Sequence, residues 1–325
     1  MIPVGCEILA IPAFILGVIL LYKGSDILVD GTVKTALQLG ISALIISVLL
    51  VGFGTSAPEF AISVGAAAQE TGLPVEEQTG ISLGNIIGSC IANLMLVLGI
   101  SAIIKPIDVK KGIIRRELPI MLGAAVVLVI SSFLGLLDEY RIIGGILFLI
   151  LFVVFIWFFI RCAKKERVKV EESKDGKTWK HLLCIFLGIA GVILGAYLLI
   201  DSSVIIATMF GIPTFIIAMS MVAVGTSLPE LVVSAMASYK GESDVAVGNV
   251  LGSNVFNMLM ILGFAALFIP LNAISKMDNM VILLAVSFLM IPIVYTKNKI
   301  TRLEGVIMLF IYSGFMIYIF REFIF

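Results

Sequence analysis

Gly54-Thr55-Ser56-Ala57-Pro58-Glu59 and Gly225-Thr226-Ser227-Leu228-Pro229-Glu230 are one hexapeptide written twice, 171 positions apart, with a single residue changed. The same offset pairs Gly40-Ile41 with Gly211-Ile212, and Asp30 with Asp201. Farther on, Gly84-Asn85-Ile86-Ile87-Gly88-Ser89 matches Gly248-Asn249-Val250-Leu251-Gly252-Ser253 at an offset of 164, which also pairs Asn93 with Asn257. The first half is seven residues longer around 71–78, and that loop absorbs the change of offset. The chain is a duplication.

Composition says where the two copies live. Of 325 residues, 60% are hydrophobic and only 14% are charged. Soluble domains carry about 25% charged residues. The apolar residues come in blocks such as 8–22, 142–160 and 280–295. Each is close to the ~20 residues a helix needs to cross a bilayer. Barrel strands would alternate apolar and polar positions, whereas these blocks are apolar all round, so they read as helices. The formal net charge is zero, and no basic patch offers itself to nucleic acid. Cys6, Cys90, Cys162 and Cys184 have neither metal spacing nor a pairing pattern and read as small apolar residues. The N-terminus has no positively charged region and block 8–22 no cleavage site, so the block reads as a retained span.

Ten spans are expected, centred near Leu16, Val51, Val97, Val126, Leu151, Ile193, Val222, Met258, Ala285 and Phe310. The first is open to a second reading, as one long tilted helix from Ile8 to Leu39 interrupted by Lys23, Asp26 and Asp30. With the N-terminus outside, nineteen of the 22 Lys and Arg residues fall in inside loops and only Arg141, Lys276 and Arg321 outside. That positive-inside bias places both termini outside the cell membrane and the 161–181 linker in the cytoplasm. Trp157 and Trp179 flank that linker as interface anchors. Each copy holds five spans, an odd number, so the second enters the membrane upside down. The expected fold is all-α integral membrane, ten transmembrane helices as two inverted five-helix repeats. The first repeat is 1–160, with its duplicated part at about 40–99. The second is 182–325, with its duplicated part at about 211–263. Transporters built this way hold their sites near the midplane, between the repeats.

Glu59 and Glu230 are the informative carboxylates. A charge at the centre of a span costs at least about 2.5–3.5 kcal/mol, and neither has a Lys or Arg in its own span. Set together they resist joint ionisation. A bound cation relieves both; the bland alternative is a protonated Glu hydrogen-bonded in the bundle. Pro58 and Pro229 lack an N–H and clash with the carbonyls of Gly54 and Gly225, which releases those oxygens. Alone this would read as an ordinary kink. Thr55 lies four residues before Glu59, and Thr226 four before Glu230, so each pair faces one way. Ser56 and Ser227 add hydroxyls. Ser89 with Asn93, and Ser253 with Asn257, share faces on the neighbouring spans. All of these donors are oxygens, and hard cations take such sets: calcium binds about 6–8 oxygens. Zinc, copper or iron would want nitrogen or sulfur, and the lone His181 sits at a span edge. The paired glycines, Gly84/Gly88 and Gly248/Gly252, read as close-packing positions. Asn85 and Asn249 beside them read as helix cross-links.

The paired segments resemble the two alpha-repeats of the calcium/cation antiporter superfamily, most closely its prokaryotic sodium/calcium exchanger branch. The resemblance spans nearly the whole chain. It implies a secondary antiporter that exchanges sodium for calcium by alternating access, with the long first and sixth helices sliding past a core that holds four ion sites. It implies a calcium site at Thr55, Glu59, Thr226 and Glu230. It implies sodium sites that add Ser56, Ser227, Ser89 and Ser253, with Gly52 and Ala223 contributing backbone and Asn93 and Asn257 the middle position. Several family members carry Asp where this chain has Asn257. Two carboxylates rather than three remain, and calcium with Glu59 and Glu230 sums to zero charge. That departure speaks against potassium dependence. The pattern around Glu59 resembles the sodium-coupled branch rather than the proton-coupled one, and a calcium/proton antiporter is the alternative. A channel would assemble a pore from symmetric subunits. An enzyme would need a nucleophile or metal centre that the chain lacks. The expected ligands are sodium and calcium ions as cargo and the lipid bilayer as surroundings, with no cofactor and no required protein partner.

Overall fold

The computed structural model describes residues 7–68, 75–165, 178–210, 225–295 and 298–319. Helix α1, Glu7–Leu39, is one unbroken run of 33 residues. It is thus about 50 Å long at 1.5 Å per residue, which exceeds the ~30 Å hydrocarbon layer and calls for tilt. Lys23, Asp26 and Asp30 do not interrupt it, so the long-helix reading holds. Asp26 and Asp30 are instead held by Lys240, whose Nζ lies 2.6 Å from a carboxylate oxygen of each. Gly40, at φ +65°, ends the helix. Its N–H reaches Leu37 O and the Ile41 N–H reaches Ala36 O, a glycine-dependent helix end.

A broken pair follows: α2, Ala43–Thr55, and α3, Ala57–Ala68, bent by 48°. Helix α4 begins at Val75 and runs through a π-helical turn, Asn93–Val97, to Ile104. Helices α5, Glu117–Phe133, and α6, Arg141–Lys165, complete the first half. The second half begins with α7, Thr178–Met209. Helix α8 is Leu228–Lys240, and α9 runs Ser243–Val255 through a π-helical turn, Phe256–Ile261, to Phe268. Helices α10, Met277–Tyr295, and α11, Arg302–Ile319, close the chain. Nine of the ten expected span centres fall on these helices, and the tenth, Val222, lies outside the described residues. Seven described helices are long and apolar enough to cross a membrane, eight if the bent pair counts as one span. The molecule is a multi-pass membrane protein. Trp157 and Trp179 are exposed on the ends of α6 and α7, with Arg161 and Lys180 over their rings at 5.0 and 5.6 Å.

The contacts come in matched pairs. Helices α1 and α7 cross antiparallel through glycine. A Cβ at Gly17 would lie 2.8 Å from Leu199 N, and one at Gly188, its mate at offset 171, 2.7 Å from Leu28 Cβ. Gly24 and its mate Gly195 meet Val192 N and Leu21 N at 2.8 and 2.7 Å. Elsewhere Gly99 packs on Gly305 and Leu309 of α11, while Gly263, 164 residues later, packs on Gly145 and Leu149 of α6. One surface carries the only strands among the described residues, β1 (Ile107–Asp108) and β2 (Lys299–Ile300), with Ile107 opposite Ile300. The position 164 after Ile107 is Leu271, whose N–H reaches Leu137 O at 3.0 Å.

The apolar core divides in two. The larger cluster gathers residues of α4, α5, α6, α9, α10 and α11. The smaller joins α1 and α7 to α2, α8 and the start of α9. Gly248 and Gly252 let α9 approach α2, since a Cβ on Gly252 would lie 2.7 Å from Val48 O. This is the packing role read from sequence for that pair; at Gly84 and Gly88 an added Cβ would meet nothing within 4 Å among the described residues. Tight backbone contact makes a direct prediction. Gly24→Ala overpacks the α1–α7 crossing, a change of the kind that costs about 1–3 kcal/mol, and lowers the melting midpoint of purified protein in detergent. Gly314→Ala meets nothing within 4 Å and leaves it unchanged; equal midpoints for the two variants would contradict the close crossing.

Candidate cation-binding site

Two helix breaks build the site. Ser56 has φ −83° and ψ 10°, and Ser227 has φ −86° and ψ 6°. Both sit in the sparsely populated bridge region, one residue after the threonine and two before the proline. Glu59 and Glu230 therefore stand in the first turns of α3 and α8. A helix N-terminus carries partial positive charge and favours a carboxylate. The proline effect differs from the sequence expectation in one respect. The Gly225 carbonyl is not free, because the Leu228 N–H takes it at 3.3 Å. Proline cannot donate four residues on, and the turn tightens to three.

Helices α4 and α9 supply the other walls. Ser89 and Asn93 lie one turn apart on α4, and Ser253 and Asn257 one turn apart on α9. Asn93 opens the π-helical turn of α4 and Asn257 is the second residue of that of α9, while a third such turn, Ser47–Val51, lies in α2. Such turns insert a residue into the helix and are frequent at functional sites. Nothing in the apolar pattern announced them.

The structure links several of the expected residues across the two halves. Ser56 Oγ donates to Glu230 Oε1 at 2.9 Å, and Ser253 Oγ approaches the same oxygen at 3.5 Å. Ser253 Oγ also donates to the Gly52 carbonyl at 3.1 Å. Ser89 and Thr226 hydroxyls lie 3.2 Å apart. Thr55 Oγ1 donates to Asn249 Oδ1 at 3.0 Å. Thr55, Ser56, Glu59, Asn93, Glu230, Ser253 and Asn257 are fully buried, Ser89 and Ser227 nearly so. Thr226 is half-buried and lines a cavity of about 260 Å³ with Pro58, Pro229, Tyr197 and Asp201. The remaining expected position, Ala223, lies outside the described residues.

Asn249 and Asn85 act as cross-links. Asn249 Nδ2 donates to Ser234 Oγ at 3.0 Å and Glu230 O at 3.3 Å. Asn85 Nδ2 does the same for Ser63 Oγ at 2.9 Å and Glu59 O at 3.5 Å. Each amide thus ties the helix carrying one glutamate to its neighbour. Asn254 was missed by the sequence reading, because its mate at offset 164 is a cysteine, Cys90.

Several buried polar atoms have no hydrogen-bond partner among the described residues: both oxygens of Glu59, Glu230 Oε2, Asn93 Oδ1, and both amide atoms of Asn257. Buried polar groups normally find a partner, and an unpartnered charged one costs more than a neutral one. Five of these six atoms are oxygens. Among the described residues no group of three His, Cys, Asp or Glu side chains could hold a metal. The donor set is therefore two carboxylates amid neutral hydroxyl and amide oxygens, suited to a hard cation of low net charge.

Known proteins share this architecture. The sodium/calcium exchanger protein family model matches residues 9–161 and 180–321. A sodium/calcium exchanger of Methanosarcina acetivorans is 30% identical, over 94% of this chain and 97% of its own. A membrane protein of Methanocaldococcus jannaschii is 34% identical, over 94% and 96%. The solved structure of the sodium-calcium exchanger NCX_Mj, soaked with sodium and calcium, superposes with a TM-score of 0.79 at 33% identity, covering 94% of this chain and 97% of that one. With the family model covering both halves and relatives matching end to end, the chain belongs to the sodium/calcium exchanger family.

Proposed function

We propose that this protein is a secondary antiporter that exchanges sodium for calcium by alternating access. The observation that carries the reading is the pair Glu59 and Glu230, fully buried at matched helix breaks, with three carboxylate oxygens unpartnered among the described residues. Calcium is coordinated by Thr55, Glu59, Thr226 and Glu230. Sodium occupies flanking positions built from Ser56, Ser89, Asn93, Ser227, Ser253 and Asn257, with backbone at Gly52 and Ala223. Sodium and calcium compete for one set of oxygens. Two bare glutamates cannot cross apolar surroundings, so the protein switches access only when loaded. A ligand shifts a conformational equilibrium only through differential interaction with its states; occupancy of the carboxylates supplies that difference here. The relatives named as sodium/calcium exchangers support this coupling over calcium/proton exchange.

The ten-helix, two-repeat arrangement is part of the proposal. Its support is the matched contacts of α1 with α7, of α4 with α11 and α9 with α6, and the matched breaks at Ser56 and Ser227. Helix α5 has 17 residues, and the span expected near Val222 lies outside the described residues. The repeats are 1–160 and 182–325, joined by a cytoplasmic 161–181 linker whose ends continue α6 and α7. Both termini lie outside the cell membrane, on the positive-inside count. The working unit needs only its ions and the bilayer, without cofactor or protein partner.

Calcium uptake into proteoliposomes tests the coupling. An outward sodium gradient drives uptake and an outward proton gradient alone does not; uptake driven by protons alone would transfer the same glutamates to a proton-coupled mechanism. Glu59→Gln and Glu230→Gln each remove a buried charge from a cation. Losing one partner of a buried ion pair costs about 3–5 kcal/mol, so each variant loses sodium-driven calcium uptake by on the order of 100-fold or more while remaining folded. Normal transport by either one rejects the site.

A further inference from the structure

Asn254 lies on α9, three residues before Asn257. It is fully buried. Its Nδ2 donates to the Cys90 carbonyl at 3.1 Å. A backbone carbonyl only accepts, so this bond fixes which way the Asn254 amide faces. Its Oδ1 is turned to the other side, where it accepts from Asn93 Nδ2 at 3.1 Å. The second amide is fixed in turn. Asn93 commits its nitrogen to Asn254, and its Oδ1 is left buried with no partner among the described residues. Flipping Asn254 would set its oxygen against the Cys90 carbonyl. Flipping Asn93 would set two amide oxygens face to face. The direction of the chain of bonds is thus anchored in the acceptor-only character of one main-chain carbonyl.

The other half has only a weak counterpart, the Cys90 thiol approaching the Asn254 carbonyl at 3.9 Å. Offset 164 pairs Asn93 with Asn257, and Cys90 with Asn254. Where one half has an amide to orient its neighbour, the other has a thiol, a weak donor and weak acceptor. Both amide atoms of Asn257 are without partners among the described residues. A cation attracts an amide oxygen and repels an amide N–H. We propose that Asn254 is a positioning residue for the exchange reaction. It holds Asn93 with its carbonyl oxygen toward the cation site, so that this oxygen binds sodium without reorganising, whereas no amide among the described residues holds Asn257 in the same way. The inference rests on the exchange reading and on Asn93 as a sodium ligand.

The test uses the full chain in proteoliposomes, with sodium and calcium half-saturation measured separately. Partners that orient a metal ligand are typically worth 10–100-fold in affinity. Asn254→Leu keeps the volume and removes the acceptor; it raises the sodium half-saturation about tenfold or more and leaves the rate at saturating sodium close to wild type. In an Asn93→Ala background the same substitution adds nothing further, as expected when one residue acts through another. Unchanged sodium half-saturation in Asn254→Leu, a fully additive effect on Asn93→Ala, or a fall in maximal rate alone overturns the proposal. Should Asn254→Leu fail to fold, the Asn93 side-chain amide is followed by NMR in the wild type. It stays protected from hydrogen exchange and keeps its shift when sodium is added, and a sodium-induced flip of that amide overturns the proposal. A wild type that exchanges neither ion would sink the exchange reading, and the amide NMR would still decide the orientation of Asn93.

Discussion

On the proposed reading, Glu59 and Glu230 have to be ionised to hold a cation, and they have to be buried to make its passage selective. Burial of a bare carboxylate in a bilayer protein is costly, and no basic side chain is bonded to either one among the described residues. The surrounding structure answers that constraint piece by piece. The helices break at Ser56 and Ser227, so each glutamate stands in the first turn of a new helix, whose N-terminal partial positive charge favours a carboxylate. Asn85 and Asn249 hold the broken segments to the neighbouring helices through the glutamates' own carbonyls. The Ser56 hydroxyl from the opposite half and the Ser253 hydroxyl from its own half reach Glu230. The charge that remains is the charge a cation supplies.

The halves are built alike, but their hydrogen bonds differ. Glu230 accepts from Ser56, while both oxygens of Glu59 are unpartnered among the described residues. Asn93 is oriented by Asn254; Asn257 has no counterpart to Asn254, only Cys90. Outside the site the asymmetry continues at one end of the bundle. Lys240 clasps Asp26 and Asp30 of α1, whereas offset 171 from Lys240 leads to Gln69 and from Asp201 to Asp30. Two similar halves thus give a candidate site whose two sides are unequally hydrogen-bonded.

The apolar blocks and the doubled hexapeptide made the helices and the pairing of Glu59 with Glu230 legible, because both are properties of sequence period and of cost. The long first helix was legible only as an alternative. Its acidic residues looked like interruptions until Lys240, more than 200 residues away, was placed beside them. The tightened turn at Gly225 followed from where a neighbouring N–H happened to be. The π-helical turns at Asn93 and Asn257 leave no trace in an apolar pattern that drifts by one residue. Asn254 was hidden because comparing the repeats rewards identity, and its mate is Cys90.

The central claim is that sodium and calcium compete for one buried set of oxygens around Glu59 and Glu230. Equilibrium binding of radioactive calcium to the purified chain in detergent, titrated with sodium, reads this directly. Displacement is expected to be complete and steeper than one-for-one, because calcium with two carboxylates must be replaced by more than one monovalent ion. Calcium that stays bound at saturating sodium, or leaves with no change in its apparent affinity, would place the two ions at separate sites and contradict the account.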